Sequence, residues 1–148
     1  MAVFYTGDDI SPIEKFYNKI YRIHNKIYKI RNAFLHLNYN RIKSIEYYSL
    51  ETPEFIEEKM IISKKNISLE DYKNVINILK NNNVLNWNRH YFADYDYCDG
   101  GIWKIVIKFS NNLSFKTSGD VEGPENFDKI YDCFEKYIKT SELYKREY

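Results

Sequence analysis

The sequence predicts an α+β fold in which helices pack on an antiparallel or mixed sheet. Apolar residues recur at alternating spacings of three and four near the start of the chain, which is typical of an amphipathic helix. Large apolar residues occupy every second position from 103 to 109 and alternate with Lys104, Val106 and Lys108, which indicates a strand with one buried face. The full segment order is α-β-β-α-β-β-β-α, and a chain of 148 residues fits a single domain, 1–148.

The first helix, with an expected span of 12–37, follows a loose leader at 1–10. Ser11 and Glu14 are expected to form a capping box, and Pro12 suits the first turn. We expect the apolar side of this helix to pack on the protein's own sheet or helices. A homodimer through the first helix is the alternative, although a parallel pair would bring its Lys and Arg flanks together. The apolar stripe comprises Ile13, Phe16, Ile20, Ile23, Ile27, Ile30, Phe34 and Leu37.

Two strands and a second helix are predicted next. Residues 41–50 and 55–63 are rich in β-forming side chains, and Thr52-Pro53 separates them. Ser68 begins another capping box, and the apolar spacing that follows predicts a helix over about 69–82. The Asn81-Asn82-Asn83 run suits the end of that helix, because Asn tolerates the left-handed conformation.

The last third of the chain is the most β-like. Residues 84–92 are predicted to form a strand, Asp99-Gly100-Gly101 marks a turn, and Asn111-Asn112 joins two antiparallel strands. Pro124 opens a final helix, and the charged tail at 141–148 is expected to fray. The buried face of the hairpin is predicted to carry Trp103, Ile105, Ile107, Phe109, Leu113, Phe115 and Thr117.

A pattern of turn, Trp-containing strand, hairpin, Gly and helix runs from about 84 to 140. It comprises Trp87, Asp99-Gly100, Trp103-Lys104-Ile105-Val106-Ile107, Gly119 and Pro124-Glu125-Asn126-Phe127-Asp128. This segment, about two fifths of the chain, resembles small, poorly characterised bacterial proteins with a Pro-x-Asn-Phe terminal helix. The resemblance implies a β-hairpin followed by a helix. It implies no activity and transfers no catalytic residue.

Charge and composition disfavour several functional classes. The 22 Lys and Arg nearly balance the 21 Asp and Glu, which argues against a strongly basic nucleic-acid binder or an acidic DNA mimic. The abundance of Asn, Lys, Ile and Tyr fits an AT-rich genome, such as that of a low-GC bacterium or its phage. With no signal-peptide pattern and no long apolar run, we expect a cytoplasmic protein without a membrane span. Cys98 and Cys133 are therefore expected to be reduced.

The sequence motifs give no sign of a metal, cofactor or catalytic centre. The Cys and His residues lack zinc-site spacing, and there is no nucleophile elbow or glycine-rich phosphate loop. The acidic run at 94–99 fails the EF-hand template, since its sixth position is Asp99 and its twelfth is Ile105. We therefore expect no cofactor, no metal and no enzymatic activity. An enzyme built from His90, Asp96, Asp99 and Glu122 is the open alternative.

Two local surfaces are candidates for binding a macromolecule. Tyrosines alternate with carboxylates in the acidic run, and Tyr supplies large, rigid contact area at interfaces. The predicted partner-binding residues are Asp94, Tyr95, Asp96, Tyr97, Asp99 and Glu122. The polar side of the first helix is instead basic and could contact nucleic acid through Lys15, Lys19, Arg22, Lys26 and Lys29. A solvated surface is the alternative for each.

These observations favour a protein-binding module without catalysis. We expect an inhibitor or immunity-type protein that neutralises a toxin, a nuclease or another effector by covering its working surface. A phage anti-defence protein, including one directed against a CRISPR enzyme, is the same hypothesis with a different target. The leading alternative is nucleic-acid binding through the basic helix. Scarce Arg, with five in the chain, argues against sequence-specific DNA reading.

Overall fold

The computed structural model describes residues 12–52, 54–93 and 101–142, and it confirms the α+β class. Its helices are α1 (Pro12–Phe34), α2 (Leu69–Asn81) and α3 (Phe127–Glu135). Its strands are β1 (Ile42–Glu51), β2 (Ile56–Ser63), β3 (His90–Tyr91), β4 (Gly101–Phe109), β5 (Ser114–Asp120) and β6 (Lys139–Glu142).

The described strands form one mixed sheet in the order β3-β5-β4-β1-β2-β6. The β1–β2 and β4–β5 hairpins are antiparallel, β4 pairs with β1 between them, and β6 adds antiparallel to β2. The short β3 pairs in parallel with β5 at His90 and Tyr91. Because β3 covers only the end of β5, the edge of β5 around Lys116 has no strand beside it among the described residues.

The alternation predicted for β4 is confirmed. Trp103, Ile105, Ile107 and Phe109 are buried, and they share the core with Phe115 and Thr117 of β5. Lys104 and Lys108 point to the opposite face of the sheet and are exposed. Ile61 and Ile102 on that face are also about half exposed.

Helix α2 follows its sequence signals closely. The Ser68 hydroxyl accepts a hydrogen bond from the Asp71 N–H at 3.1 Å, which caps the helix as predicted. Tyr72, Val75 and Leu79 are buried against the sheet, and the Tyr72 hydroxyl donates to the Ile42 carbonyl at 2.5 Å. Asn83 then takes the left-handed conformation expected where the helix ends.

Gly119 and Asn126 hold neighbouring elements together. The Asn126 side-chain amide donates to the Asn82 carbonyl at 2.8 Å, which ties the end of α2 to the start of α3. The Trp103 indole donates to the Glu122 carbonyl at 2.7 Å across Gly119. Any side chain at Gly119 would overlap both the Glu122 carbonyl and the Trp103 ring.

Three sequence-based boundaries in the second half of the chain are wrong. The final helix begins at Phe127, three residues after Pro124. Residues 84–92 do not form one strand, because Val84–Asn86 is a 3-10 turn and only His90 and Tyr91 join the sheet. Val84, Leu85 and Trp87 are all buried, which a strand with alternating faces could not achieve. The fraying expected from residue 141 does not hold for Ser141 and Glu142, which pair with β2. Four predicted features lie outside the described residues: the leader at 1–10, the cap at Ser11, the turn at Asp99-Gly100 and the tail at 143–148.

Helix α1 forms where it was predicted, but it faces the other way. The prediction that its apolar stripe packs on the protein's own core is wrong, because Ile13, Phe16, Ile23, Ile27, Ile30 and Phe34 are 49–80% exposed. The helix instead turns Tyr21, Asn25, Tyr28, Asn32 and Leu35 toward the sheet. It ends at Phe34, three residues before the predicted boundary, and His36 takes a positive φ of 51°.

The open edge of β5 explains this orientation. The Tyr28 hydroxyl accepts from the Lys116 N–H at 2.9 Å and donates to the Lys116 carbonyl at 2.7 Å. Tyr21 stacks on Phe92 with ring centroids 3.8 Å apart. Unpaired backbone groups at a sheet edge need a polar partner. Tyr28 supplies one and the Ile side chains of the stripe cannot, so α1 packs through its tyrosine face.

No helix among the described residues is long and apolar enough to cross a membrane.

Candidate protein-binding cleft

A cleft of about 660 Å³ opens where β1, β2 and β4 meet the start of α3. It lies on the same face of the sheet as the core. We call it the acidic cleft, and its lining is Tyr47, Ser49, Glu51, Thr52, Glu54, Glu58, Gly101, Ile102, Trp103, Val121, Phe127, Asp128 and Tyr131.

Aromatic rings form the floor and one wall of the acidic cleft. Tyr47 and Trp103 come from adjacent strands and are buried, whereas Phe127 and Tyr131 on α3 are half-buried. Trp103 and Phe127 pack with ring centroids 4.5 Å apart, and Tyr47 meets Tyr131 edge-on at 5.9 Å. These contacts fix the rings before any ligand arrives, which lowers the entropy cost of binding.

Four carboxylates surround the aromatic floor. Glu51, Glu54 and Asp128 are exposed at the rim, and Glu58 is half-buried. The described residues that line the cleft include no Lys or Arg, and none of these four carboxylates forms an ion pair with another described residue. The cleft therefore concentrates negative charge beside apolar rings.

Glu58 is held in place by two hydroxyl groups. The Tyr131 hydroxyl lies 2.9 and 3.1 Å from its two carboxylate oxygens, and the Ser49 hydroxyl donates to it at 3.3 Å. Burial, followed by the hydrogen bond to Glu58, raises the pKa of Tyr131 well above its usual range. Burial likewise raises the pKa of Tyr47 to about 12. Both phenols keep their protons at neutral pH, so Tyr131 remains a hydrogen-bond donor to Glu58.

Of the six residues predicted for the acidic surface, the structure describes only Glu122. Asp94, Tyr95, Asp96, Tyr97 and Asp99 lie outside the described residues, so their role stays a prediction. Gly101, which closely follows that run, lines the acidic cleft. Glu122 is exposed and comes directly after Val121, another lining residue, but Glu122 itself does not line the cleft.

A second, smaller cavity of about 340 Å³ lies on the opposite face of the sheet. Here His90 sits between Ser118 and Asp120, with Nδ1 2.6 Å from the Ser118 hydroxyl and Nε2 3.1 Å from the Asp120 carboxylate. The parallel pairing of His90 with Ser118 brings Ser118, His90 and Asp120 into one row. No sequence spacing predicts this row.

The row of Ser118, His90 and Asp120 has the residue types of a nucleophile, a base and an orienting acid. However, the Ser118 N–H donates to the Arg89 carbonyl at 3.0 Å, so it cannot stabilise an oxyanion without breaking strand pairing. The contacts of His90 with Ser118 and Asp120 also have a structural role, because they link β3 to β5. Of the enzyme set His90, Asp96, Asp99 and Glu122, only His90 and Glu122 are described, and His90 pairs with Asp120 instead.

The basic residues predicted for nucleic-acid binding are brought together on α1. Lys15, Lys19, Arg22, Lys26 and Lys29 are all exposed. At the helical repeat of 3.6 residues they follow one flank, between the apolar stripe and the face that contacts the sheet. We call this flank the basic strip.

The remaining reactive groups show no site among the described residues. No group of three or more His, Cys, Asp or Glu in that part of the chain could hold a metal ion. Cys133 is a half-buried free thiol on α3, and burial raises its pKa while Lys136 opposes the shift. Cys98 lies outside the described residues.

Sequence reasoning missed the acidic cleft, although β1 carries a signal for it. Along the core-facing side of that strand the residues run Ile45, Tyr47, Ser49 and Glu51, so polarity increases toward the strand end. A buried face that becomes polar marks the place where the core opens to solvent. Glu58 lies opposite Ser49 on the adjacent strand of the same hairpin. The sequence does not reveal that Asp128 and Tyr131 meet this hairpin there, because α3 is distant from it in sequence.

No protein-family model, curated protein or solved structure matches the chain.

Proposed function

We propose that this protein is a non-catalytic, cytoplasmic protein-binding module of inhibitor or immunity type. Its target carries a basic side chain that enters the acidic cleft. The observation that carries this proposal is the cleft itself, in which aromatic rings form the floor and every charged lining residue is acidic.

The charge of the cleft favours a target that handles nucleic acid. Nucleases and related effectors present Lys and Arg to phosphate groups. A carboxylate-lined cleft presents the same negative charge as phosphate groups do. This charge speeds the encounter with a basic surface and disfavours acidic partners. A toxin nuclease or a nucleic-acid-guided defence enzyme, including a CRISPR effector, therefore fits the proposal better than an acidic target does.

The chemistry of the cleft favours Arg over Lys in that target. A guanidinium group pairs with carboxylates through two parallel hydrogen bonds and also stacks on aromatic rings. Glu58 is already oriented by Tyr131 and Ser49, and the exposed Asp128 lies on the same wall as Phe127. An Arg side chain would gain both kinds of contact with little rearrangement.

The first experiment identifies the target. The tagged full-length chain is used as bait in lysate of its native host, with and without nuclease treatment, and the eluate is analysed by mass spectrometry. We expect a stoichiometric protein that survives nuclease treatment and is lost with the variant described next. Recovery of nucleic acid alone would overturn the proposal.

Charge reversal in the cleft then tests the binding site. Glu54→Lys combined with Asp128→Lys should weaken binding of the captured target by roughly 30-fold or more, since like charges that face each other at an interface cost several kcal/mol. The matched control is Glu70→Lys with Glu142→Lys, which makes the same charge change at exposed positions away from the cleft. Equal affinity of both double variants, measured by calorimetry, would exclude the cleft as the contact.

A third variant separates the cleft from the acidic run. Asp94→Lys with Asp96→Lys tests the sequence-based site in the same assay. A loss of binding in this variant, with Glu54→Lys and Asp128→Lys unaffected, would move the site to the run. Loss in both variants would indicate one continuous acidic surface.

Nucleic-acid binding through the basic strip is the second candidate function. It is favoured by five exposed basic side chains spread over the 15 residues from Lys15 to Lys29 of α1, or about 21 Å along the helix axis. If all five contact phosphates of B-DNA, log K should fall with log salt at a slope of about −4.5. Lys19→Glu with Lys26→Glu should then remove binding, as read by fluorescence anisotropy of a labelled duplex. A flat salt dependence would exclude this candidate.

A further inference from the structure

We propose that two copies of this chain pair through the apolar stripe of α1, with the two helices antiparallel. The inference concerns a surface separate from the acidic cleft. Helix α1 contacts the β5 edge through Tyr28, whereas the cleft lies over β1, β2 and β4.

The stripe is too apolar and too exposed to be an ordinary solvated surface. Six of its large residues are 49–80% exposed. At roughly 200 Å² for each fully exposed side chain of this size, they leave on the order of 700 Å² open to solvent. A typical monomer exposes no apolar patch larger than about 300–600 Å².

The area matches what a stable dimer needs. Two stripes facing each other would bury on the order of 1,400 Å², within the roughly 1,200–2,000 Å² of a standard protein interface. The stripe also keeps the alternating three-and-four spacing through which paired helices interlock. Both the area and the spacing fit a second copy of the same helix.

The contacts of α1 with its own sheet leave the stripe free for this role. The Tyr28 hydroxyl holds both backbone groups of Lys116, and Tyr21 stacks on Phe92. Both tyrosines lie on the face opposite the stripe. Turning the stripe inward would break these contacts and leave the Lys116 backbone without them, so the helix is fixed with its apolar side outward.

Charge decides between the two orientations. In a parallel pair, Lys19 would face His24 of the second copy and Lys26 would face Arg31 of the second copy, on both sides of the seam. In an antiparallel pair, Ile23 meets Ile27 of the second copy and Lys19 lies opposite Ala33 of the second copy. Tyr17 then lies opposite Arg31 of the second copy, an attractive cation–π pairing. Lys26 and His24 each meet the same residue of the second copy, but each such contact occurs once and not on both sides of the seam. The antiparallel pair therefore has fewer repulsive contacts.

Sedimentation equilibrium of the full-length chain tests the pairing. We expect twice the monomer mass, with a dissociation constant in about the micromolar range or tighter. Ile23→Glu with Ile27→Glu places charges at the centre of the seam and should weaken pairing at least about 100-fold. Because both residues are exposed, circular dichroism of the variant should match the parent chain.

The matched control makes equivalent substitutions at exposed apolar positions outside both α1 and the acidic cleft. Ile61 and Leu69 are 53% and 56% exposed, close to the exposure of Ile23 and Ile27. Ile61→Glu with Leu69→Glu should leave the dimer intact. A monomeric parent chain up to about 100 µM would overturn the proposal, and that outcome would favour residues 1–11 or another protein as the cover of the stripe. A dimer that survives in the helix variant would also overturn it.

Cross-linking tests the orientation. In a background of Cys98→Ser with Cys133→Ser, Lys26→Cys should form a disulfide between copies, because residue 26 lies near the antiparallel centre. Phe34→Cys should not, because its counterpart would lie at the far end of the seam. The reverse pattern would overturn the antiparallel arrangement.

Discussion

Helices α1 and α2 are both amphipathic, yet they use their apolar faces in opposite ways. Helix α2 buries Tyr72, Val75 and Leu79 against the sheet. Helix α1 is longer and has the stronger apolar repeat, but it exposes that repeat and packs through Tyr21 and Tyr28.

The difference lies in what each helix meets on the sheet. Helix α2 covers the flat apolar face, where Val and Leu side chains remove the most area from water. Helix α1 meets the edge of β5, where Lys116 has backbone groups to satisfy. The comparison shows that periodicity identifies an apolar face without identifying what covers it.

The largest expected effect is the contrast between matched truncations in the two helices. Leu79→Ala should lower the free energy of unfolding by about 2–5 kcal/mol, because Leu79 is fully buried. Ile27→Ala on α1, measured at concentrations where the chain is monomeric, should change it by less than about 0.5 kcal/mol. Urea denaturation followed by Trp fluorescence gives both values. Equal losses would show that the stripe is buried within the monomer.

Removing one hydroxyl from each helix sharpens the same contrast. Tyr28→Phe deletes two hydrogen bonds to Lys116, whereas Tyr72→Phe deletes one to Ile42. Each hydrogen bond contributes about 1 kcal/mol, so Tyr28→Phe should cost roughly twice as much as Tyr72→Phe. Amide exchange should also accelerate along α1 in Tyr28→Phe. Unchanged exchange would mean that edge capping does not hold α1.

Alkaline pH should destabilise the region around the acidic cleft gradually. Tyr47 has its pKa raised to about 12, and that of Tyr131 is raised further, whereas unfolded tyrosines ionise near 10. The native state therefore binds more protons than the unfolded state above pH 10, so stability is complete below that pH and falls as pH rises toward 12. Ultraviolet absorbance titration measures the ionisation of the tyrosines, and urea denaturation at each pH measures the free energy of unfolding. Tyr47→Phe with Tyr131→Phe should flatten the decline.

The smallest expected effect concerns the row of Ser118, His90 and Asp120. We expect no labelling of Ser118 by a fluorophosphonate probe, because its backbone N–H is held in strand pairing. Ser118→Ala should cost about 1 kcal/mol through loss of its bond to His90. Covalent labelling that disappears in both Ser118→Ala and His90→Ala would instead support an enzyme.

Much of the local structure could be predicted because its signals are local. The cap at Ser68, the left-handed Asn83 and the alternation around Trp103 each depend on neighbouring residues, and each is confirmed. The 84–92 strand failed because burial of Val84, Leu85 and Trp87 outweighs strand propensity. The prediction that the tail frays from residue 141 failed because this polar segment becomes ordered only through pairing with the distant strand β2.

The orientation of α1 had a signal that the stronger stripe concealed. Asn18, Asn25 and Asn32 repeat every seven residues, as do Tyr21, Tyr28 and Leu35. These two series form the face that contacts the sheet. The sequence holds two heptad faces on one helix, and only one of them is strongly apolar.

By itself, the sequence determined the α+β class, the helix and strand segments with strong periodicity, and the buried face of the central hairpin. Those features follow from interactions between residues near one another in the chain. Only the tertiary structure decided which side of α1 faces inward, and only it brought Glu58, Tyr131 and Glu51 to one cleft. Both outcomes depend on which backbone groups and side chains meet across the sheet, and that pairing is set by contacts between distant segments.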